Sequence, residues 1–138
     1  MFKVERRDYG LEFLFVGSEL PFNEVKELIT IVKRLLGYGD QAKMHFYFDL
    51  RGLNRLNPET IKEFVLFRKF LITNYNAKRS VYILDSAVIQ IQLKRIAKEL
   101  GVFLDDRYIE PINLPGWEDK AIAWLINAQE PVPKKRKW

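Results

Sequence analysis

Two carboxylates, an arginine and a hydroxyl follow the apolar segments of this chain and are its strongest candidates for reactive groups. Asp49 ends one apolar segment and Arg51 comes two residues later, while Asp85 and Ser86 follow the next apolar segment. Two strand-end carboxylates with an arginine between them can support acid–base catalysis or bind a divalent cation. Alternatively, Asp49 pairs with Arg51 or with the backbone of its own turn, and Asp85 and Ser86 cap the helix that follows. The capping interpretation needs no further partner and is the stronger of the two.

The other parts of common active sites are missing from the sequence. There is no cysteine and the only histidine is His45, so the usual nucleophile–base pairs and histidine-based metal sites cannot be assembled. No glycine-rich phosphate loop and no Gly-x-Ser-x-Gly motif occurs. His45 lies inside an apolar run, where we expect a packed side chain with one bonded ring nitrogen. We therefore predict a protein that is not an enzyme, with no catalytic residue, no metal ligand and no cofactor.

The segment NPETI, residues 57–61, predicts the start of a helix. Asn57 is a strong N-cap because its side-chain oxygen accepts from a free backbone N–H. Pro58 suits the first helical position, where its missing N–H costs nothing, and Glu59 opposes the positive end of the helix dipole. In α/β sheets, ligands meet the polar groups that follow the carboxyl ends of the strands. The predicted partner-binding surface comprises Asp49, Arg51, Asn54, Arg55, Asn57, Glu59, Thr60, Asp85 and Ser86.

Composition and charge indicate one ordinary globular domain. The 138 residues are 48% hydrophobic and 14% aromatic, which is enough to bury a single core. The net charge is +5, but KKRK at residues 134–137 supplies most of it, so the remainder is nearly balanced. We expect a domain over residues 1–130 and a basic, flexible tail over residues 131–138. We expect a cytoplasmic location, because no apolar run suits a signal peptide or a membrane span.

Apolar periodicity predicts five strands and four helices that alternate after an opening hairpin. The hairpin turn is expected at Tyr9-Gly10, and the first helix carries an apolar stripe from Phe22 to Leu36. The predicted strands lie at 2–7, 11–16, 44–50, 81–84 and near 108–109, and the predicted helices begin near Pro21, Asn57, Ser86 and Gly116. The order ββαβαβαβα predicts an α/β sandwich with right-handed crossovers and mostly parallel central strands.

The segment FDLRGLNRLNPETIKEF, residues 48–64, resembles the STAS domain family, which includes the SpoIIAA-type anti-sigma-factor antagonists. In that family a DLS motif after an apolar strand leads to DSSGL, or a similar segment, at a helix start. Here DLR at 49–51 is similar to the first motif, and NPETI takes the place of the second. Residues 81–102 and 116–125 are similar to the SpoIIAA-like branch, which is related to Sec14-type lipid-binding domains. The resemblance covers residues 1–128 and implies a mixed sheet of about five strands, with about four helices mainly on one face.

The resemblance also implies a position for regulation. In the family a partner kinase phosphorylates a serine near the helix start, and this position falls on Glu59. A glutamate carries one negative charge where phosphoserine carries up to about two. The resemblance therefore implies a switch that is absent or fixed in a charged form. Thr60 and Ser86 offer hydroxyl groups nearby, but neither matches the family's site.

Several functions remain open. The resemblance and the missing catalytic parts favour a non-catalytic regulatory module that docks a protein partner through the face around residues 57–64. The alternative is a module of Sec14-like character that binds a small apolar ligand or lipid. The reason for this alternative is the high aromatic content, which includes Phe64, Phe67, Phe70, Tyr75, Trp117 and Trp124. Metal-dependent catalysis by Asp49 and Asp85 and nucleic-acid binding through residues 134–137 are less favoured. A homodimer is compatible with the sequence.

Overall fold

Five strands and four helices make up the fold over the residues that the structure describes. The computed structural model of the chain describes residues 1–37, 43–102 and 105–132, and residues 43, 76 and 77 by their backbone only. The strands are β1 (Phe2–Arg7), β2 (Gly10–Phe15), β3 (Lys43–Asp49), β4 (Asn76–Ile83) and β5 (Asp106–Ile109). The helices are α1 (Phe22–Leu36), α2 (Pro58–Asn74), α3 (Ala87–Leu100) and α4 (Trp117–Asn127), and a 3-10 turn covers Pro111–Asn113. The predicted α/β class and the order ββαβαβαβα are confirmed.

The sheet is mixed and its strands follow chain order, β1-β2-β3-β4-β5. β1 pairs antiparallel with β2, and all later neighbours pair in parallel. Helices α1, α2 and α3 pack against one face of the sheet in the larger apolar cluster. Helix α4 packs against the other face, over β3, β4 and β5. The carboxyl ends of the four parallel strands therefore lie at one edge, where the polar groups predicted from sequence follow them.

A ladder of four aromatic rings crosses the larger core. Phe13, Phe48, Tyr82 and Tyr108 are direct cross-strand neighbours on β2, β3, β4 and β5. Their rings are stacked with centroid separations of 4.7, 4.8 and 5.5 Å. Phe64 and Phe67 of α2 meet the Phe48 ring edge-on. Cross-strand aromatic pairs stabilise a sheet beyond the area they bury, so the aromatic residues of this chain fix strand neighbours and helix position together.

On the opposite face, Trp124 anchors α4 to the sheet. Its indole N–H donates to the Ser80 carbonyl at 3.1 Å. The Arg107 guanidinium lies 3.9 Å from its ring centroid. The Arg79 guanidinium donates to the Leu125 carbonyl at 2.7 Å, at the end of α4 where a positive charge is favourable. Trp124 is buried and is therefore part of the core on this face.

Some sequence expectations about elements need correction. β4 begins at Asn76 rather than Val81, because its polar first half pairs with β3 across a bulge between Met44 and Phe46. Phe22 does not join the buried stripe of α1: it is 45% exposed, with the Lys26 ammonium 5.5 Å from its ring centroid. The basic residues 134–137 lie outside the described residues.

Candidate functional site

The connection between β3 and α2, residues 50–57, is fixed by leucines. Leu50, Leu53 and Leu56 are buried in the larger core. The residues between them are exposed, with Arg51 and Gly52 in the first gap and Asn54 and Arg55 in the second. A buried leucine at every third position holds the loop against the fold. The polar side chains are thereby presented from a backbone with little freedom.

Asp49 and Arg51 form a closed pair at the end of β3. The Arg51 Nη2 lies 2.7 Å from Asp49 Oδ2, and the Arg51 Nε lies 3.0 Å from Asp49 Oδ1. The backbone N–H of Arg51 also donates to Oδ1. The hydrogen bonds that Arg51 donates to Asp49 raise the pKa of the Arg51 guanidinium. Asp49 is buried beneath this contact, so its carboxylate shapes the turn, as the capping interpretation predicted.

The loop is also tied to the start of α3. Both carboxylate oxygens of Asp85 accept from the Gly52 N–H, each at 3.1 Å. Ser86 caps α3 by accepting from the Ile89 N–H, and its hydroxyl donates to the Asn54 carbonyl at 2.9 Å. Asp85 and Ser86 therefore hold two neighbouring connections together.

Gln92 of α3 completes this attachment. Its side-chain oxygen accepts from the Leu56 N–H at 2.8 Å, and its side-chain nitrogen donates to the Leu56 carbonyl at 2.9 Å. The sequence interpretation did not include Gln92, because nothing local marks a glutamine in the middle of a helix as a loop clamp. The leucine at every third position of the loop could have predicted that the loop backbone is held against the core.

The start of α2 has the capping arrangement predicted from sequence. The Asn57 side chain accepts from the Thr60 N–H at 2.9 Å, and Pro58 occupies the first helical position. Asn57, Pro58 and Glu59 are exposed. Thr60 is different, because it is fully buried and its hydroxyl donates to the Leu20 carbonyl at 2.7 Å. Thr60 is therefore removed from the predicted surface.

Six exposed residues of the β3–α2 connection and the start of α2 form one surface, which we call the tip surface: Arg51, Asn54, Arg55, Asn57, Pro58 and Glu59. Asp85 of the predicted surface is also exposed and borders it through its contact with the Gly52 N–H. A surface cavity of about 260 Å³ borders it, lined by Glu19, Leu20, Arg55 and Asn57. On the other side, the Arg51 guanidinium lies 4.9 Å from the centroid of Trp117, the first residue of α4. Of the predicted surface, Asp49 and Thr60 are buried and Phe64 lies within the core. The remaining predicted residues converge on one edge of the sheet.

The chemistry available here is recognition through charged and amide groups. The Asp49 and Asp85 carboxylates are both bonded within the loop. Across residues 1–37, 43–102 and 105–132, no three acidic or histidine side chains group closely enough to hold a metal ion. The tip surface presents two guanidinium groups, two side-chain amides and one carboxylate, with Pro58 among them.

The aromatic residues behind the lipid hypothesis lie in packing contacts. Phe64, Phe67, Tyr75 and Trp124 are buried, and Phe70 meets the Tyr75 ring edge-on with centroids 5.6 Å apart. Tyr75 also donates to the Gly37 carbonyl at 3.1 Å. Trp117 is half-buried beside Arg51. These contacts account for the aromatic content through the core and its anchors.

The fold and the tip surface define an α/β protein with a mixed five-stranded sheet and a preorganised polar edge. No protein-family model, no curated protein and no solved structure matches this chain. Among the described helices, none combines the length and apolar character that a membrane span requires.

Proposed function

We propose that this chain is a non-catalytic regulatory module that binds a protein partner through the tip surface. The observation that carries the proposal is the contrast between a fixed backbone and exposed side chains in residues 50–57. Three buried leucines hold the loop, together with its hydrogen bonds to the side chains of Asp85, Ser86 and Gln92. A surface that is already ordered loses little conformational entropy on binding.

The charges on the tip surface indicate what the partner presents. Arg51 and Arg55 are exposed at the loop, while Glu59 is exposed in the first turn of α2. A partner of complementary charge places acidic groups against the arginines and a basic group against Glu59. Complementary charges of this kind set specificity and the association rate more than affinity.

Glu59 also supports a module that does not depend on phosphorylation at this helix start. It occupies the position at which the resembled family carries its phosphoacceptor serine. The neighbouring Thr60 hydroxyl is buried and donates to the Leu20 carbonyl, so a kinase cannot reach it without unfolding the start of α2. A constant carboxylate at position 59 therefore favours a partner bound without a phosphorylation switch.

The test is partner capture with a charge-reversed tip surface. The double variant Arg55→Glu/Glu59→Lys reverses two exposed charges and keeps the net charge of the chain. A matched control, Lys98→Glu/Glu99→Lys, makes the same exchange on two exposed residues of α3. We expect the wild-type chain and the control to capture the same partner, and the tip variant to lose at least about 90% of it, since each reversed contact costs several kcal/mol.

The captured partner is then mixed with each purified protein to measure Kd directly. Unchanged affinity for Arg55→Glu/Glu59→Lys would remove the tip surface as the docking site. Equal losses in both double variants would show that the effect is not local to the tip.

A further inference from the structure

Strand β1 lies at the edge of the sheet and presents backbone groups outward. Met1 and Val16 exchange both backbone hydrogen bonds, each 2.8 Å long. In an antiparallel pair, residues alternate between bonding to the neighbouring strand and pointing away from it. The N–H and C=O groups of Lys3 and Glu5 therefore bond to β2. Those of Phe2 and Val4 point away from β2, toward the open edge of the sheet. Such an edge is a template for another strand.

We propose that β1 pairs antiparallel with β1 of a second copy of this chain, joining two five-stranded sheets into one. The two-fold axis passes between Val4 and Val4 of the second copy. In this register Lys3 lies opposite Glu5 of the second copy, and Glu5 lies opposite its Lys3. Opposite charges directly across an antiparallel pair are stabilising, and the same strand supplies both partners, as a two-fold interface requires.

The charges of β1 select this register over its neighbours. The register can shift only by two residues at a time. Only alternate residues of β1, such as Phe2 and Val4, can form backbone hydrogen bonds to the second copy. One slip places Lys3 opposite Lys3, and the other places Glu5 opposite Glu5. Like charges directly opposite each other are destabilising. The sequence FKVERR of β1 is therefore self-complementary in one register.

The side chains around the edge suit a second copy. Lys3 and Glu5 have 68% and 38% of their side-chain surface exposed, and their charged atoms lie 3.6 Å apart. On the opposite face, Phe2 and Val4 are partly buried against the larger core, as are Ile31 and Leu35 of α1. The Leu35 carbonyl accepts from the Arg6 side chain at 3.4 Å, so this side of α1 borders β1. Pairing two edges would cover the part of these apolar side chains that is still exposed in each copy.

This interface is separate from the tip surface. β1 and the β3–α2 loop are separated by β2 in the sheet order. The loop side chains remain exposed in the paired arrangement, which would present two tip surfaces per dimer. Loss of dimerisation and loss of partner capture are therefore independent results.

The first experiment is a charge swap followed by sedimentation velocity over a concentration series. We expect the wild-type chain to form a dimer, and Lys3→Glu or Glu5→Lys alone to weaken it at least about tenfold, since each places like charges in two cross-strand pairs. The combined Lys3→Glu/Glu5→Lys variant recreates both opposite-charge pairs and should restore the dimer. A wild-type chain that stays monomeric, single variants that dimerise normally, or a double variant that stays monomeric would each overturn the proposal.

The second experiment uses the absence of cysteine from the chain to test the register. Directly opposite residues that are not hydrogen-bonded have Cα atoms about 4.5 Å apart, within the range that a disulfide spans. Lys3 and Glu5 of the second copy form such a pair, so we expect a mixture of Lys3→Cys and Glu5→Cys chains to form a covalent dimer under mild oxidation. The matched control, Lys3→Cys chains by themselves, should not, because their Cα atoms would lie roughly 8 Å apart across the diagonal. Equal cross-linking of the mixture and the control, or cross-linking of the control only, would contradict the register. Circular dichroism of every variant establishes that it is folded.

Discussion

Arg68 is the residue whose burial is hardest to predict from the sequence. It lies on α2 among apolar neighbours and is 5% exposed. Its two terminal nitrogens each lie 3.1 Å from an oxygen of Asp106, and it also donates to the Tyr82 hydroxyl. Burial raises the pKa of Asp106, against the attraction of the Arg68 guanidinium. From the sequence alone an arginine on a helix is expected to face solvent, because its partner Asp106 lies 38 positions away in the chain.

Breaking this buried pair should cost far more than breaking a surface pair. We expect Arg68→Met to lower the free energy of unfolding by about 3–5 kcal/mol, because it leaves the Asp106 carboxylate buried without its partner. Urea denaturation followed by circular dichroism measures the change. The control Lys26→Met removes an ion pair between exposed Lys26 and half-buried Glu63, whose charged atoms lie 3.9 Å apart, and should cost less than about 0.5 kcal/mol.

The double variant Arg68→Met/Asp106→Leu removes both charges and should recover most of the loss. A double variant as unstable as Arg68→Met alone would show that packing, rather than the unpaired carboxylate, accounts for the cost.

Among the elements, the β1–β2 hairpin depends on one glycine. Gly10 has a φ of +142°, which side chains rarely adopt. A Cβ at this position would overlap the His45 carbonyl oxygen and lie 2.7 Å from the His45 nitrogen. Gly10 is the position at which β2 starts to pair with β3. The sequence predicted the turn at Tyr9-Gly10, whereas the structure places it at Asp8-Tyr9 and Gly10 begins β2. The close approach of β3 is a tertiary contact.

We expect Gly10→Ala to destabilise the protein by at least about 2 kcal/mol, because strain and overlap with a backbone add together. The control is Gly101→Ala, at the C-cap of α3. Gly101 has a φ of +75°, but a Cβ there would meet nothing within 4 Å. It should therefore cost only about 1 kcal/mol. Thermal unfolding of the two variants gives the comparison, and equal losses would contradict the contact with His45.

Over the whole molecule, buried tyrosines couple stability to alkaline pH. Burial raises the pKa of Tyr47, Tyr82 and Tyr108 above the ordinary value near 10. In the unfolded chain these phenols ionise near pH 10, whereas in the folded protein they stay protonated. Ionisation therefore stabilises only the unfolded state. The free energy of unfolding is unaffected below pH 10 and falls as the pH rises above it.

We expect the free energy of unfolding to change little between pH 7 and 9 and then to fall by about 1.4 kcal/mol per pH unit for each buried tyrosine. Urea denaturation at a series of pH values measures the slope. Tyr108→Phe should reduce the slope by one tyrosine at little cost at pH 7, because the Tyr108 hydroxyl is buried without a hydrogen-bond partner among the described residues. A slope identical to that of the wild-type chain would refute this assignment.

Local chemistry was enough to predict the elements and part of the site. The caps at Asn57 and Ser86, the pairing of Asp49 with Arg51 and the element order follow from short-range preferences of side chains and backbone. Such preferences act within a few residues, so they are legible in a sequence.

Contacts between distant segments could not be predicted in this way. The burial of Thr60 against Leu20, the Gln92 clamp on Leu56 and the Arg68–Asp106 pair join residues 30 or more positions apart. Each depends on which helix face meets which strand, and that is settled by packing the whole core at once. The sequence therefore predicts where the tip surface lies, while the folded structure determines which of the predicted side chains are exposed there.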